Sequence, residues 1–314
     1  MIKNILITGC AGFIGSHATD YFLAKGHNIV GVDSLTYAGS LDNISEPMKN
    51  DRFYWYKNDI CNTEDIVEYC VRHNIEWIIN FAAESHVDNS IKNIDPFLKS
   101  NIMGVVSLLN VCRRLGIKIF HISTDEVYGS IEEKSFNEDD RLNPKNPYSS
   151  SKASAEHFVT SYHNTYNIDY KMVRMSNNFG PRQNGEKLIP TVIRSLMEGN
   201  KIPVYGEGKN IRDWFYVKDC VNMIYDVFQC GSDNETYNLT HGFEMENLCV
   251  IEKICEIMGK NFLESILFVP DRPGHDFRYS ICNKKLGRIV SSEPTIFDSA
   301  LRDTVEYFKN RDKK

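Results

Sequence analysis

The sequence predicts a doubly wound, parallel α/β sheet followed by a smaller C-terminal α/β domain. Short, nearly continuous apolar and β-branched runs alternate with longer amphipathic ones through the first half of the chain, as expected for strands covered on both faces by crossover helices. A glycine-rich turn joins the first of these runs directly to the first amphipathic one. The length of 314 residues, at roughly 100 to 200 per domain, suits one large or two ordinary domains, each with its own core.

In chain order, the pattern places strands at residues 2–8, 29–33, 53–58, 77–82 and 117–124, and helices between and after them at 13–25, 63–73, 95–115 and 147–166. The last helix begins Asn146-Pro147, an N-cap residue followed by proline at the first helical position. Beyond Asn178 the alternation weakens. Helical patterns remain at 187–198 and 248–258, and Gly180-Pro181 and Arg272-Pro273-Gly274 punctuate the chain. The expected division is therefore 1–178 and 179–314, with the segment at about 213–240 returning to the first domain. No internal repeat is visible, and the acidic stretch 131–141 reads as a solvated loop.

Composition narrows the function. Hydrophobic residues make up 42% and charged residues 25% of the chain, which excludes disordered and low-complexity classes. A net charge of −6 gives no broad positive field, so neither nucleic acid nor a membrane surface is an expected partner. The nine cysteines are odd in number, scattered and never in a CxxC pair. They read as reduced thiols, and no cluster has metal-ligand spacing. With no apolar run of about 18 residues and no leader pattern before the first strand, a cytoplasmic location is expected.

Gly9, Gly12 and Gly15 stand between the first strand and the first helix in the order Thr8-Gly9-Cys10-Ala11-Gly12-Phe13-Ile14-Gly15. A pyrophosphate can meet backbone N–H groups and a helix N-terminus there. The spacing, GxxGxxG, differs from GxGxxG by one residue in the turn. Asp33 closes the second strand 18 residues past Gly15, where a carboxylate accepts hydrogen bonds from ribose hydroxyls and repels a 2′-phosphate. Strand, glycines, helix, strand and aspartate together predict a Rossmann-type site for NAD rather than NADP.

Tyr148 and Lys152 are four residues apart on the helix at 147–166, so their side chains share one face. Ionising a tyrosine of pKa about 10 at neutral pH requires roughly 3 units, about 4 kcal/mol, which a neighbouring ammonium and an oxidised nicotinamide can supply. The adjacent carboxylates Asp125 and Glu126 follow the strand at 117–124. Two such groups can divide an acid and a base role between them.

The glycine loop and the YxxxK pair resemble those of the extended short-chain dehydrogenase/reductases. Within that group, Leu35-Thr36-Tyr37-Ala38-Gly39, Ala82-Ala83-Glu84-Ser85-His86-Val87-Asp88, Ser123-Thr124-Asp125-Glu126-Val127-Tyr128-Gly129, Ser176-Asn177-Asn178, Glu186-Lys187-Leu188-Ile189-Pro190, Arg212-Asp213-Trp214 and Asp271-Arg272-Pro273-Gly274-His275-Asp276 look like the dTDP-glucose 4,6-dehydratases. The resemblance runs from Ile2 to about Arg278. It implies catalytic roles for Thr124, Asp125, Glu126, Tyr148 and Lys152. Tyr148 would take the C4 hydroxyl proton while hydride passes to NAD, and Thr124 would hydrogen-bond the C4 oxygen. Glu126 would remove the C5 proton, protonated Asp125 would assist loss of the C6 hydroxyl, and the hydride would return to C6.

The same resemblance places Phe13, Ile14, Asp33, Ser34, Leu35, Thr36, Asp59, Ile60, Ala82, Ala83, Glu84, Ser85, Ser100, Tyr148, Lys152 and Asn178 beside a tightly held NAD. Sugar-nucleotide contacts would come from Ser85, Thr124, Asn177, Lys187, Leu188, Pro203, Tyr205, Arg212, Asn247, Arg272 and His275. It also implies a homodimer joined through the helices at 95–115 and 147–166. Departures are Ser34, where the family usually has lysine, and Asn89, where it has arginine. A 4-epimerase or decarboxylase on this scaffold needs Tyr148, Lys152 and NAD but not both carboxylates. A catalytically silent NAD or sugar-nucleotide binding protein needs none of them. UDP-glucose, which lacks one methyl group of its thymine counterpart, rivals dTDP-glucose as substrate, since a methyl discriminates by only about 1 to 3 kcal/mol.

Overall fold

A computed structural model of the chain describes residues 1–271, 276–290 and 293–311. Seven strands form one parallel sheet in the order β10-β6-β5-β4-β1-β2-β3. They are β1 (Asn4–Thr8), β2 (Asn28–Asp33), β3 (Phe53–Lys57), β4 (Trp77–Asn80), β5 (Lys118–Thr124), β6 (Tyr170–Met175) and, far along the chain, β10 (Glu235–Leu239). Ile5 lies opposite Ile29 on one side and Trp77 on the other, so the apolar runs are buried from both directions.

Helices α1 (Phe13–Ala24), α2 (Thr63–Arg72) and α3 (Val87–Lys92) follow the early strands. The pattern at 95–115 is one helical path with a break in its winding: a turn, α4 (Asp95–Phe97), a π-helical stretch (Leu98–Met103), and α5 (Gly104–Leu115). A Cβ at Gly104 would meet the end of the Ile60 side chain at 2.4 Å, so a larger residue here would require that side chain to shift. The π stretch turns Asn101 inward. Its Oδ1 accepts the Glu84 N–H at 2.8 Å, and its Nδ2 donates to Ser151 Oγ at 2.8 Å. Such bulges recur where a helix must aim a functional side chain.

Ser151 belongs to α6 (Pro147–Tyr166), whose start is fixed by Pro147 and by a reciprocal capping box between Asn146 and Ser149. Helices α2, α5 and α6 cover one face of the sheet, over a core that includes Leu6, Ile78, Leu108 and Ile119. The other face is covered by α1 and by α8 (Val217–Cys230), around Ile7, Phe22, Phe120 and Ile224.

The remaining strands build two small sheets. β7 (Asn177–Phe179), β9 (Ile211–Tyr216) and β11 (Glu244–Glu246) form one, and β8 (Ile202–Tyr205) pairs in parallel with β12 (Ile266–Val269) in the other. Helices α7 (Leu188–Glu198), α9 (Asn247–Met258) and α11 (Phe297–Arg311) pack on one another around Ile193, Trp214, Ile251 and Leu301. The short α10 (Phe262–Ser265) precedes β12. The chain therefore crosses from β9 in a small sheet to α8 and β10 on the large one, then returns.

Candidate active site

A cleft of about 500 Å³ opens over the C-terminal ends of the large sheet's strands and is closed on one side by the start of α7. Ligands of open α/β sheets bind in this position. Its floor is the turn after β1. Gly9 has φ +67°, and a Cβ there would meet the Ala82 backbone nitrogen at 2.7 Å. A Cβ at Gly15 would fall 2.1 Å from the Gly9 carbonyl oxygen. Side chains at either position would force the turn open. Gly12, the N-cap of α1, offers no capping side chain, and the first turn carries no acid, so its N–H groups stay available to an anion.

Asp33 ends β2 beside this turn. Its two oxygens accept N–H groups of Ala11 (2.9 Å) and Leu35 (2.8 Å), which holds the carboxylate in the cleft wall although burial raises its pKa. Leu35 itself turns back at φ +54° and does not line the cleft. Every other residue assigned to the cofactor does, from Gly9, Gly12, Phe13, Ile14 and Gly15 through Ser34, Thr36, Asp59, Ile60, the run Ala82, Ala83, Glu84 and Ser85, to Ser100 and Asn178. Several polar atoms of the wall, Asn177 Oδ1 and Gln183 Oε1 among them, are buried with no hydrogen-bond partner among the described residues. A glycine cradle no Cβ could share, an open helix N-terminus, a ribose-side carboxylate and unmatched acceptors fit a dinucleotide.

The chemistry-bearing side chains converge on the same wall. β5 runs out at Thr124, which is still extended, and a 3₁₀ turn follows at Asp125–Tyr128. Thr124 Oγ1 accepts the Glu126 N–H at 3.3 Å and donates to Asp125 Oδ1 at 3.2 Å. Asp125 is 3% exposed, and its Oδ2 has no hydrogen-bond partner among the described residues. Burial, then the charges of Glu126 and Asp213, push its pKa well above the ordinary carboxylate value, which favours the neutral acid. Glu126 Oε2 accepts from Asn146 Nδ2 at 3.3 Å, which ties the turn to the cap of α6.

On α6, Tyr148 and Lys152 are both buried, and Lys152 Nζ donates to the Ile122 carbonyl at 2.7 Å. Burial pushes the lysine down to about 8, opposed by the charge of Glu156. It pushes the Tyr148 phenol up, as does Glu126, while a hydrogen bond with Thr124 acts the other way. Burial and Glu126 both hold the tyrosine as a phenol. His121, behind Lys152 on β5, is fully buried and held neutral by burial and by that lysine.

The profile of the GDP-mannose 4,6 dehydratase family matches residues 6–303. The chain belongs to this family.

Relatives span its whole length. It is 41% identical to the low-salt glycan biosynthesis protein Agl12 of Haloferax volcanii, covering 98% of this chain and 99% of that one. It is 37% identical to dTDP-glucose 4,6-dehydratase 1 of Escherichia coli K12, covering 99% and 94%. Among solved structures, DesIV, a dTDP-glucose 4,6-dehydratase from Streptomyces venezuelae with NAD and TYD bound, superposes with a TM-score of 0.95 at 35% identity, covering 99% and 98%.

The assigned substrate residues divide into two groups. Ser85, Thr124, Asn177, Lys187 and Leu188 line the cleft, and Lys187 Nζ donates to the Ser85 carbonyl at 3.0 Å. Pro203, Tyr205, Arg212 and Asn247 lie outside its wall, on β8, β9 and the start of α9. The Arg212 guanidinium donates to the carbonyls of Ile211, Asp276 and Phe277 and stacks 4.5 Å from the Tyr279 ring. Arg272 and His275 lie outside the described residues. The cleft also includes Asn58, Lys99, Gln183, Asn184 and Glu186, none of which was assigned from sequence. Glu186 belongs to the Glu186-Lys187-Leu188 segment that carries the family resemblance. Lys99, in the π-helical stretch, pairs with Asp59 at 2.7 Å. Among the described residues, no group of three or more His, Cys, Asp or Glu could hold a metal ion, and no helix is long and apolar enough to cross a membrane.

Proposed function

We propose that this chain is an NAD-dependent sugar-nucleotide 4,6-dehydratase acting on dTDP-glucose, with UDP-glucose the competing substrate. The observation that carries the reading is the pair Asp125 and Glu126, set on the turn after β5 in the same cleft wall as Tyr148 and Lys152. An epimerase has no use for both carboxylates.

NAD, held by the glycine turn and Asp33, would supply the hydride acceptor for C4 and the hydride donor for C6. The protein's own groups manage the protons. Tyr148, ionised with the help of Lys152, accepts the C4 hydroxyl proton, and Thr124 donates a hydrogen bond to the C4 oxygen. The resulting C4 ketone acidifies C5–H, which Glu126 removes. Asp125, neutral because of its burial, gives its proton to the departing C6 hydroxyl, which leaves as water. Glu126 then returns a proton to C5, and the product is a 4-keto-6-deoxy sugar nucleotide.

Residues 1–178 with the returning segment α8 and β10 form the NAD-binding unit on this reading, and the small sheets with α7, α9 and α11 form the sugar-nucleotide unit. Leu98, Met103, Phe158 and Tyr166 are exposed along the helices at 95–115 and 147–166, which supports a homodimer through that face. A turnover with dTDP-glucose deuterated at C4 tests the mechanism. Deuterium at C6 of the product is expected; deuterium lost to solvent, or returned to C4 with no loss of water, overturns it.

A further inference from the structure

One buried ion pair lies behind the catalytic groups and takes no part in the proton transfers above. Glu156 and Arg174 are 2% and 7% exposed. Arg174 donates from Nη2 to Glu156 Oε2 at 2.7 Å and from Nε to both carboxylate oxygens, at 3.0 and 3.2 Å. Ser123 Oγ donates to Glu156 Oε1 at 2.5 Å. The remaining nitrogen of Arg174, Nη1, donates to the Tyr128 hydroxyl oxygen at 2.5 Å and to the Glu138 carbonyl at 2.9 Å, and Tyr128 donates onward to Asn238 Oδ1 at 2.9 Å.

Each member of this network sits beside a catalytic group or on a strand that frames one. Glu156 is one helical turn past Lys152 and two past Tyr148 on α6. Ser123 immediately precedes Thr124 on β5, and Tyr128 closes the turn that begins with Asp125 and Glu126. Arg174 and Asn238 come from β6 and β10. A buried ion pair adds little net stability over apolar residues of the same volume, because both charges lose their hydration. What it supplies is direction. A two-pronged guanidinium–carboxylate contact fixes the rotation of α6 and its sliding along β6, as apolar packing does not, and the Ser123 hydrogen bond ties the same carboxylate to β5.

We infer that Glu156 and Arg174 are positioning residues, whose ion pair keeps the helix bearing Tyr148 and Lys152 in register with the turn bearing Asp125 and Glu126. The groups that oxidise C4 and those that eliminate across C5 and C6 then face one bound sugar; this consequence rests on the dehydratase reading above. A second effect follows from the geometry. Lys152 is faced by Tyr148 and Glu156 from its own helix and by neutral His121 from β5, while Asp125 and Glu126 act on Tyr148 from the turn. Arg174, facing Glu156 from β6, is matched by that carboxylate. Glu156 is thus the charge that favours the Lys152 ammonium against its burial.

The test compares Glu156→Gln, the double variant Glu156→Gln/Arg174→Met, and Glu156→Asp with the unaltered protein. Three quantities are read: the thermal unfolding midpoint, the titration of Lys152 by NMR with isotope-labelled lysine, and the product formed per cofactor reduced in a single turnover. Glu156→Gln strands a buried guanidinium and unfolds at lower temperature. The double variant removes both charges and recovers the midpoint, yet its Lys152 titrates about 1 pH unit lower, and product per reduced cofactor falls on the order of tenfold to a hundredfold.

A double variant with recovered stability, an unchanged Lys152 titration and unchanged product yield overturns the inference. If the double variant does not fold, Glu156→Asp decides. It keeps the charge but shortens the reach, so Lys152 titrates normally while product yield falls; full yield would overturn the register claim. If the unaltered protein dehydrates no nucleotide sugar, the dehydratase reading fails. The Lys152 titration, which needs no substrate, then judges Glu156 alone: an unchanged titration in the double variant, or in Glu156→Gln if the double does not fold, overturns the inference.

Discussion

Burial and neighbouring charges make both Tyr148 and Asp125 harder to ionise than they would be in water. The phenol is buried beside Glu126, and both disfavour its ionisation; in the proposed mechanism Lys152 and the oxidised nicotinamide supply the opposing positive charge. Tyr148→Phe should therefore leave NAD bound, measured in the supernatant after denaturation, while turnover drops by on the order of a hundredfold or more. Turnover at the original rate would remove Tyr148 from the mechanism. Asp125→Asn keeps the shape but has no proton to give. Reduced cofactor with a 4-keto sugar should accumulate in that variant, visible in the nicotinamide absorbance, as water loss slows. Asp125 and Asp213 also set a pH dependence of stability. Burial raises Asp213 from 3.8 to about 7, and Asp125 moves in the same direction. The folded state then holds more protons than the unfolded one in this window, so stability falls as pH rises from about 4 towards 7. Asp213→Asn should flatten that slope in thermal unfolding series, and an unchanged slope would show that Asp213 does not titrate there.

The glycine turn and α6 are the elements whose local sequence determines the site most directly, and both were legible. The turn's spacing required backbone contact, and Gly15 makes it: a Cβ there would lie 2.1 Å from the Gly9 oxygen. Gly15→Ala should lose bound NAD during purification and lower the unfolding midpoint, whereas full NAD occupancy would mean that the turn adapts. The start of α6 was announced by Asn146-Pro147 and is capped as expected. β6 was not legible. Its sequence, Tyr170–Met175, carries Lys171 and Arg174, which break the apolar run that marks a buried strand. Lys171 donates to the carbonyls of Val227 and Phe228 and Arg174 pairs with Glu156, so both charges are satisfied by partners 18 to 57 residues away. The π-helical turn at Leu98–Met103 was hidden because the helical periodicity of 95–115 looks continuous in sequence.

Across the whole molecule, the cleft is where the large sheet meets α7 and the loop before it, so NAD-side and sugar-side residues come from parts of the chain with little local sequence in common. Family resemblance supplied most of the sugar-side assignments, and the geometry separates them. Lys187 and Leu188 reach the cleft, while Arg212 is engaged with the backbone near Tyr279. Met103→Glu with Phe158→Glu, two exposed positions on the helices proposed to join, should convert a dimer to a monomer in sedimentation; a dimer unaffected by both would place the interface elsewhere. The central claim is the elimination itself, and the direct measurement is incubation of the purified protein with dTDP-glucose, UDP-glucose and UDP-N-acetylglucosamine, without added reductant, followed by mass spectrometry. Loss of one water from dTDP-glucose, with UDP-glucose slower and no net consumption of NAD, is the predicted result. No water lost from any of the three while NAD stays bound would contradict it.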